Sequence, residues 1–108
     1  PLNRPLFFDH DEPNLYGVND EFMLGESLLF APIVKQGATS RDITLPRGRW
    51  LDLWDGNERG GGLIRSFPAP LHKLPAFMDL EKPLDQSLTS KVRSLLLQIE
   101  EGPKGHRH

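Results

Sequence analysis

Turn-forming residues divide this chain into short apolar segments. Ten Gly and ten Pro stand among 108 residues, and turn signals recur about every 8–12 residues between the segments. The segments that carry apolar or alternating patterns are residues 4–8, 28–34, 41–45, 50–54, 63–67 and 73–78. Segments this short are typical of strands rather than helices. The pattern therefore predicts a mainly β fold, an antiparallel β-sandwich with a short C-terminal helix.

Some segments allow sharper predictions. The continuous apolar run at 28–34 is expected to be a strand buried on both faces, with Pro32 at an edge or bulge because it cannot donate to a ladder. Residues 46–48, Pro-Arg-Gly, are predicted to form a turn between two strands. Residues 9–26 carry six acidic side chains and no basic one. With Asn and Gly among them, they are predicted to be a loop.

The end of the chain has helical rather than strand spacing. One face of a helix would carry the apolar residues at i, i+4, i+7, i+8 and i+11, which are Leu88, Val92, Leu95, Leu96 and Ile99. Asp85 and Ser87 are the two candidates for the N-cap. Gly102 followed by Pro103 is a typical stop, and the residues beyond are expected to fray. Such a stripe needs a partner, either the sheet or another chain.

Composition excludes several classes of protein. No apolar run approaches the roughly 18 residues that a membrane span needs, and residues 1–4 lack the layout of a signal peptide. The absence of Cys excludes disulfides and thiolate metal sites. A formal net charge of −2 gives no electrostatic case for nucleic acid. We therefore expect a soluble protein of unspecified compartment, with neither nucleic acid nor membrane as partner.

The acidic loop contains the sharpest candidate for chemistry. Asp9, His10, Asp11 and Glu12 follow a strand end, where barrel enzymes place catalytic groups. They could bind a metal or supply acid–base catalysis, or they could form a solvated acidic loop. Spacing does not separate these interpretations, because adjacent residues on an extended chain point to opposite sides. The loop is the favoured interpretation.

Aromatic residues are the next candidates. Trp50 and Trp54 lie at i and i+4 of a predicted strand, hence on one face, where their rings could stack on a sugar. Burial in the core is the favoured alternative. Phe7 and Phe8 are interpreted first as strand filling and second as ligand contacts. His72 is expected at the surface, and with His10 it makes no zinc spacing.

The remaining motifs predict no catalytic centre. The Gly triplet at 60–62 lacks the Lys-Ser/Thr ending of a phosphate loop and is expected to let the chain bend. Ser27 and Ser40 have no nucleophile-elbow motif around them. Local sequence therefore predicts no catalytic, cofactor-binding or metal-ligating residue, and no cofactor.

Four segments in order carry a family resemblance. They are RPLF at 4–7, FMLGESLLFAPI at 22–33, GATSRDITLPRGRWLDLW at 37–54 and APLHKLPAF at 69–77. Together they resemble glycoside hydrolase family 31, the α-glucosidase and α-xylosidase family. The resemblance extends over most of the chain. It covers the last strand of that family's catalytic (β/α)8 barrel and the β-sandwich that follows.

The resemblance implies a division of labour within a longer parent chain. Family members hydrolyse α-glycosidic bonds with retention through two aspartates, a nucleophile and an acid/base, on earlier barrel strands. None of the four segments contains those aspartates, so no catalytic residue is assigned here. The implied domains are residues 1–12 as a barrel remnant with its loop, 13–80 as β-sandwich, and 81–108 as helix and flexible tail.

The same resemblance implies the partners. They are the catalytic barrel of the parent chain and an α-glucoside or α-xyloside ligand. A stand-alone carbohydrate-binding module and a self-associating remnant are the alternatives. A lone barrel strand at 2–8 would expose unpaired edges, so it must pair with the sandwich, pair with another copy or stay disordered. After Phe77 the chain departs from the family pattern, since residues 78–83 lead to the helix in place of a closing strand.

Overall fold

A computed structural model describes most of the chain. The described residues are 3–5, 10, 12–15, 17–18, 20–33, 37–70 and 73–101. The strands are β1 Asn3–Pro5, β2 Phe22–Leu24, β3 Leu28–Phe30, β4 Ser40–Asp52, β5 Glu58–Pro68 and β6 Ala76–Asp79. Helix α1 follows at Gln86–Glu101, and a 3₁₀ turn lies at Pro13–Leu15. The predicted mainly β class with a short C-terminal helix is confirmed.

The strands form one antiparallel sheet in the order β1-β2-β3-β6-β4-β5. Strand β2 was missed, because the loop prediction for residues 9–26 covered it and three residues are too few to show alternation. β1 pairs with β2, Asn3 opposite Leu24 and Pro5 opposite Phe22. Among the three alternatives for the isolated N-terminal strand, residues 3–5 therefore adopt pairing with the sheet.

The central hairpin differs most from expectation. Residues 46–48 are not a turn between two strands but a bulge inside the single 13-residue strand β4. Across this bulge β4 runs from Leu45 to Arg49, while β5 runs only from Gly62 to Gly60. A bulge leaves residues unpaired, which allows Pro46, a residue without an N–H, to lie inside a long strand.

Apolar side chains cover both faces of the sheet. Adjacent residues on β3 and on β6 belong to different core clusters, as strand alternation requires. The first cluster contains Leu15, Met23, Leu29, Ala31, Ile43, Leu45, Trp50, Phe67 and Phe77. It combines the N-terminal part of β4 with β2 and β3, although β4 pairs with β6 only at residues 50–52. The sheet thus acquires the two-layer core of a β-sandwich, and the predicted two-sided burial of β3 is confirmed at Leu28 and Leu29.

Helix α1 closes the second core cluster. Leu96 is buried there with Leu28, Leu53, Ala76 and Met78, and Val92 packs against them. Within the predicted stripe, Leu88 and Leu95 remain 46% and 58% exposed; Leu97, outside the stripe, is 53% exposed. The sheet therefore covers only part of the predicted stripe. The side chain of Ile99, the predicted stop at 102–103 and the predicted flexible tail lie outside what the structure describes. In the described part of the chain, no helix has the length and apolarity to cross a membrane.

The helix begins where one of its two predicted caps stands. The carboxylate of Asp85 accepts a hydrogen bond from the Leu88 backbone N–H at 2.9 Å, whereas Ser87 lies inside the helix. Asp85→Ala is expected to cost about 1 kcal/mol, because it leaves that N–H without its acceptor. Thermal unfolding followed by circular dichroism measures the loss. Ser87→Ala is the matched control, and an equal loss in both variants would contradict the cap assignment.

Candidate functional site

In the acidic segment that was the sharpest candidate for chemistry, Glu12 makes a structural contact with strand β4. This side chain is only 8% exposed, and its two carboxylate oxygens accept the Arg47 backbone N–H at 2.9 and 3.2 Å. The expectation of a solvated loop is therefore wrong at Glu12, since its carboxyl oxygens accept a backbone N–H of the bulge in β4. The His10 ring lies 5.8 Å from the Trp50 ring. Asp9 and Asp11 lie outside the described residues.

The Glu12 contact yields a test with a built-in control. Glu12→Ala leaves the Arg47 N–H without its acceptor and is expected to cost about 1–3 kcal/mol in the free energy of unfolding. The Arg47 side chain also lies near Glu12, with its Nε 3.7 Å from a carboxylate oxygen, but that side chain is 83% exposed. Arg47→Ala is therefore expected to cost under about 1 kcal/mol. Urea denaturation of both variants decides, and equal losses would mean that the ion pair matters and the backbone contact does not.

Every buried carboxylate that the structure describes accepts a hydrogen bond from a backbone N–H group. The buried acids are Glu12, Glu21, Asp52 and Asp79. In the same order, they accept the backbone N–H groups of Arg47, Thr44, Trp54 and Glu81. Buried polar groups need such partners. These acids therefore fix bulges and turns. The last three were missed by sequence reasoning, because spacing carries no signal for a buried acid.

Glu21 has the most perturbed acid–base properties of the four. It is 2% exposed, and burial raises the pKa of its carboxyl to about 7, while the Thr44 N–H and the Arg41 guanidinium oppose the shift. Arg41 bonds the Asp20 carboxylate at 3.0 Å and Glu21 at 3.3 Å. The same guanidinium donates to the carbonyls of Asp20 and Pro32 at 2.9 and 2.6 Å. Arg41 thus connects β4 with the segments before β2 and after β3.

The two tryptophans do not share a face. Trp50 is 0% exposed and donates its Nε1–H to the Pro46 carbonyl at 2.9 Å, so the favoured interpretation as core is confirmed for it. Trp54 lies in the turn after β4, half-buried, with Nε1 bonded to the Leu74 carbonyl at 2.6 Å. The prediction of a shared face is wrong because the strand ends at Asp52. Phe7, Phe8 and His72 lie outside the described residues.

The Gly triplet allows the backbone of β5 to lie close to the backbone of the bulge in β4. It lies within the continuous strand β5, so the predicted bend is not formed. A Cβ on Gly61 would lie 2.3 Å from the Pro46 carbonyl oxygen and 2.8 Å from Arg47 Cα. Only glycine fits opposite the bulge without displacing backbone. The triplet is therefore explained by the bulge.

The two serines considered as nucleophiles take part in the structure of the fold. Ser27 donates its hydroxyl to the Lys82 carbonyl, and Ser40 opens β4. A cavity of about 220 Å³ beside the bulge is lined by Glu12, Pro13, Leu45, Arg47, Gly61 and Gly62. This lining contains no aromatic ring on which a sugar could stack. Among the described residues, no group of three or more His, Asp or Glu side chains is arranged to hold a metal ion.

Comparison with known proteins assigns the family. The family model described as "Glycosyl hydrolase family 31 C-terminal domain" matches residues 1–80. Among curated relatives, an isomaltosyltransferase of Sporosarcina globispora is 35% identical over 94 residues, 86% of this chain and 9% of its own length. Alpha-glucosidase 2 of Bacillus thermoamyloliquefaciens is 40% identical over 79 residues, 72% of this chain and 10% of its own.

A solved structure agrees with the sequence matches. The family 31 alpha-xylosidase from a soil metagenome, complexed with xylose, superposes with a TM-score of 0.70 and 36% identity, covering 76% of this chain and 12% of that one. The chain belongs to glycoside hydrolase family 31 and corresponds to the C-terminal domain of its enzymes. It spans about a tenth of the length of the curated relatives it matches.

Proposed function

We propose that this chain is a non-catalytic, structural C-terminal domain of a family 31 enzyme that hydrolyses α-glycosidic bonds with retention. The observation that carries the proposal is that the buried acids bind backbone N–H groups of the chain itself. Retaining hydrolysis needs two carboxyls about 5–5.5 Å apart beside the sugar. The four buried carboxylates described here each bind a backbone N–H, which leaves them committed to turns and bulges.

The division of the chain follows from the same proposal. Residues 1–12 would end the catalytic (β/α)8 barrel, residues 13–80 would form the β-sandwich, and residues 81–108 would add a helix and tail. The barrel is then the principal partner. Its ligand would be an α-glucoside or an α-xyloside, classes that the names of an alpha-glucosidase and an alpha-xylosidase among the similar proteins suggest.

The size of the native product tests this proposal. An antibody against this chain, followed by intact-mass measurement of the captured protein, should identify a polypeptide several times larger than 12.2 kDa. Purified from its source, that polypeptide should hydrolyse α-glycosides. A captured product of 12.2 kDa would contradict the proposal and would favour a free-standing role.

Self-association is the second candidate, and helix α1 favours it. Leu88, Leu95 and Leu97 are exposed on this helix. Antiparallel pairing with a second copy would cover these leucines in a two-fold arrangement. Sedimentation equilibrium of the chain should then show a dimer that Leu95→Lys dissociates, whereas a monomer throughout would remove this candidate.

A carbohydrate-binding module receives less support. Such a module stacks sugars on exposed aromatic faces, and Trp50 has no exposed surface to offer. Trp54 is half-buried, with a Lys73 ammonium 5.4 Å from its ring centroid. Titration with maltooligosaccharides, followed by tryptophan fluorescence, distinguishes the candidates: the structural role predicts no saturable change.

A further inference from the structure

The two carboxylate oxygens of Glu21 differ in their hydrogen bonding. Oε2 accepts the Thr44 backbone N–H at 2.7 Å and lies 3.3 Å from the Arg41 guanidinium. Oε1 is buried and has no hydrogen-bond partner within the described residues. An ionised carboxylate in this position therefore loses the hydration of one oxygen without replacement, which is costly in a buried site. A proton on the carboxyl lowers that cost, because burying a neutral polar group costs less than burying a charge.

The surroundings of Glu21 contain charges of both signs. Asp20, on the same segment, repels a second negative charge, and Arg41 on β4 attracts it. Arg41 does not serve Glu21 alone, because it also bonds the Asp20 carboxylate and the carbonyls of Asp20 and Pro32. The guanidinium therefore keeps four other contacts when Glu21 is neutral, including one to the Asp42 carbonyl at 3.0 Å. Loss of the Glu21 charge does not leave a buried cation unpaired.

We propose that Glu21 and Arg41 form a proton-linked latch, in which residues 20–21 are held closed on β4 while Glu21 is protonated and open to water when Glu21 ionises. Opening exposes Oε1 to solvent and breaks the bond between Glu21 and the Thr44 N–H. The latch is independent of the proposed enzymatic role, because it depends only on contacts within this chain.

The raised pKa supports the geometry and fixes the direction of the effect. Burial places the Glu21 pKa at about 7, against 4.5 for an ordinary glutamate. The folded state thus binds the proton more tightly than the unfolded state. The stabilisation is complete below pH 4.5 and is lost as pH rises through 7. A difference of this size corresponds to a change of about 300-fold in the folding equilibrium constant.

Two measurements on the 108-residue chain test the latch. In a carbon-13 NMR titration, the side-chain carboxyl of Glu21 should titrate near pH 7. Exchange of the Thr44 amide, corrected for intrinsic base catalysis, should accelerate above that pH. In Glu21→Gln, which mimics the protonated carboxyl, Thr44 exchange and stability to urea should lose this pH dependence. Glu26→Gln, at an exposed acid of the following turn, is the matched control and should keep it.

Two outcomes would overturn the proposal. One is titration of Glu21 near 4.5, and the other is a Thr44 exchange rate with the same pH dependence in Glu21→Gln as in the unaltered chain. Asp20→Asn gives an independent readout if Glu21→Gln does not fold. Removal of the neighbouring negative charge should lower the titration midpoint of Glu21. An unchanged or higher midpoint would contradict the arrangement of charges described here.

Discussion

Gly61→Ala is expected to lower the free energy of unfolding by about 3 kcal/mol. The added Cβ would stand 2.3 Å from the Pro46 carbonyl oxygen and 2.8 Å from Arg47 Cα. Both are backbone atoms, and the bulge that contains them cannot yield easily. Glu12 binds its Arg47 N–H, and Trp50 binds its Pro46 carbonyl. One of the two strands must therefore shift, with loss of some of these contacts.

The Gly triplet supplies the matched control for this prediction. Gly60 precedes Gly61 on the same strand, and a Cβ there would meet nothing within 4 Å. Gly60→Ala is therefore expected to change stability by less than about 0.5 kcal/mol. Urea denaturation compares the free energies of unfolding of the two variants, provided that both show the same dependence of that free energy on urea concentration. Similar stability for both would mean that β5 does not approach the bulge as closely as described.

Trp50→Ala is expected to cost about 3–5 kcal/mol, the range for removal of a large buried aromatic side chain. The Trp50 ring is fully buried in the first core cluster. The variant would leave a cavity there and would leave the Pro46 carbonyl without its indole donor. Many chains of this size have little more stability than that, so the variant is expected to be largely unfolded at 37 °C. Far-ultraviolet circular dichroism and urea denaturation measure the effect.

An exposed residue of similar apolar character controls for Trp50. Leu63 lies on β5 and is 53% exposed, so Leu63→Ala is expected to change stability by about 0.5 kcal/mol or less. Trp50→Phe keeps a ring but loses the indole N–H, and its loss should fall between the other two. If Trp50→Ala remained as stable as Leu63→Ala, the assignment of Trp50 to the core would be wrong.

The residues behind these predictions meet at one feature, the bulge at 46–48. Glu12 arrives from the segment after β1, Trp50 from the same strand as the bulge and Gly61 from the opposite strand. Because they act on neighbouring atoms, their effects are not expected to add. Glu12 links the segment after β1 to the sheet at this bulge. In the proposed parent enzyme, substitutions here should reduce folded yield without changing kcat of the molecules that fold.

The sequence was sufficient for the elements that depend on local pattern. The alternation at 41–45 lies within β4, whereas only the first three residues of the apolar run at 28–34 form β3. The 3.6-residue spacing after Asp85 corresponds to α1, including its cap. Four ordered motifs led to the family. In each case the signal is carried by neighbouring residues or by segments that can be compared directly.

Features that depend on distant parts of the chain were not predictable in this way. The bulge looked like a turn because Pro-Arg-Gly has turn composition, and only the flanking pairs Leu45–Gly62 and Arg49–Gly60 keep it within the strand. The buried Glu21 finds its backbone donor in Thr44, which lies 23 residues away along the chain. Strand β2 is recognisable only from its two neighbours in the sheet. These features arise from tertiary contacts, and no local spacing encodes them.

The non-catalytic role is tested most directly by the activity of the chain itself. The purified 108-residue chain is incubated at high concentration with aryl α-glucosides and aryl α-xylosides, and the released phenol is measured. We expect release at the rate of buffer alone. Release that rises in proportion to the amount of chain, and that disappears when Asp9, His10 and Asp11 are replaced by Asn, Gln and Asn, would contradict the account.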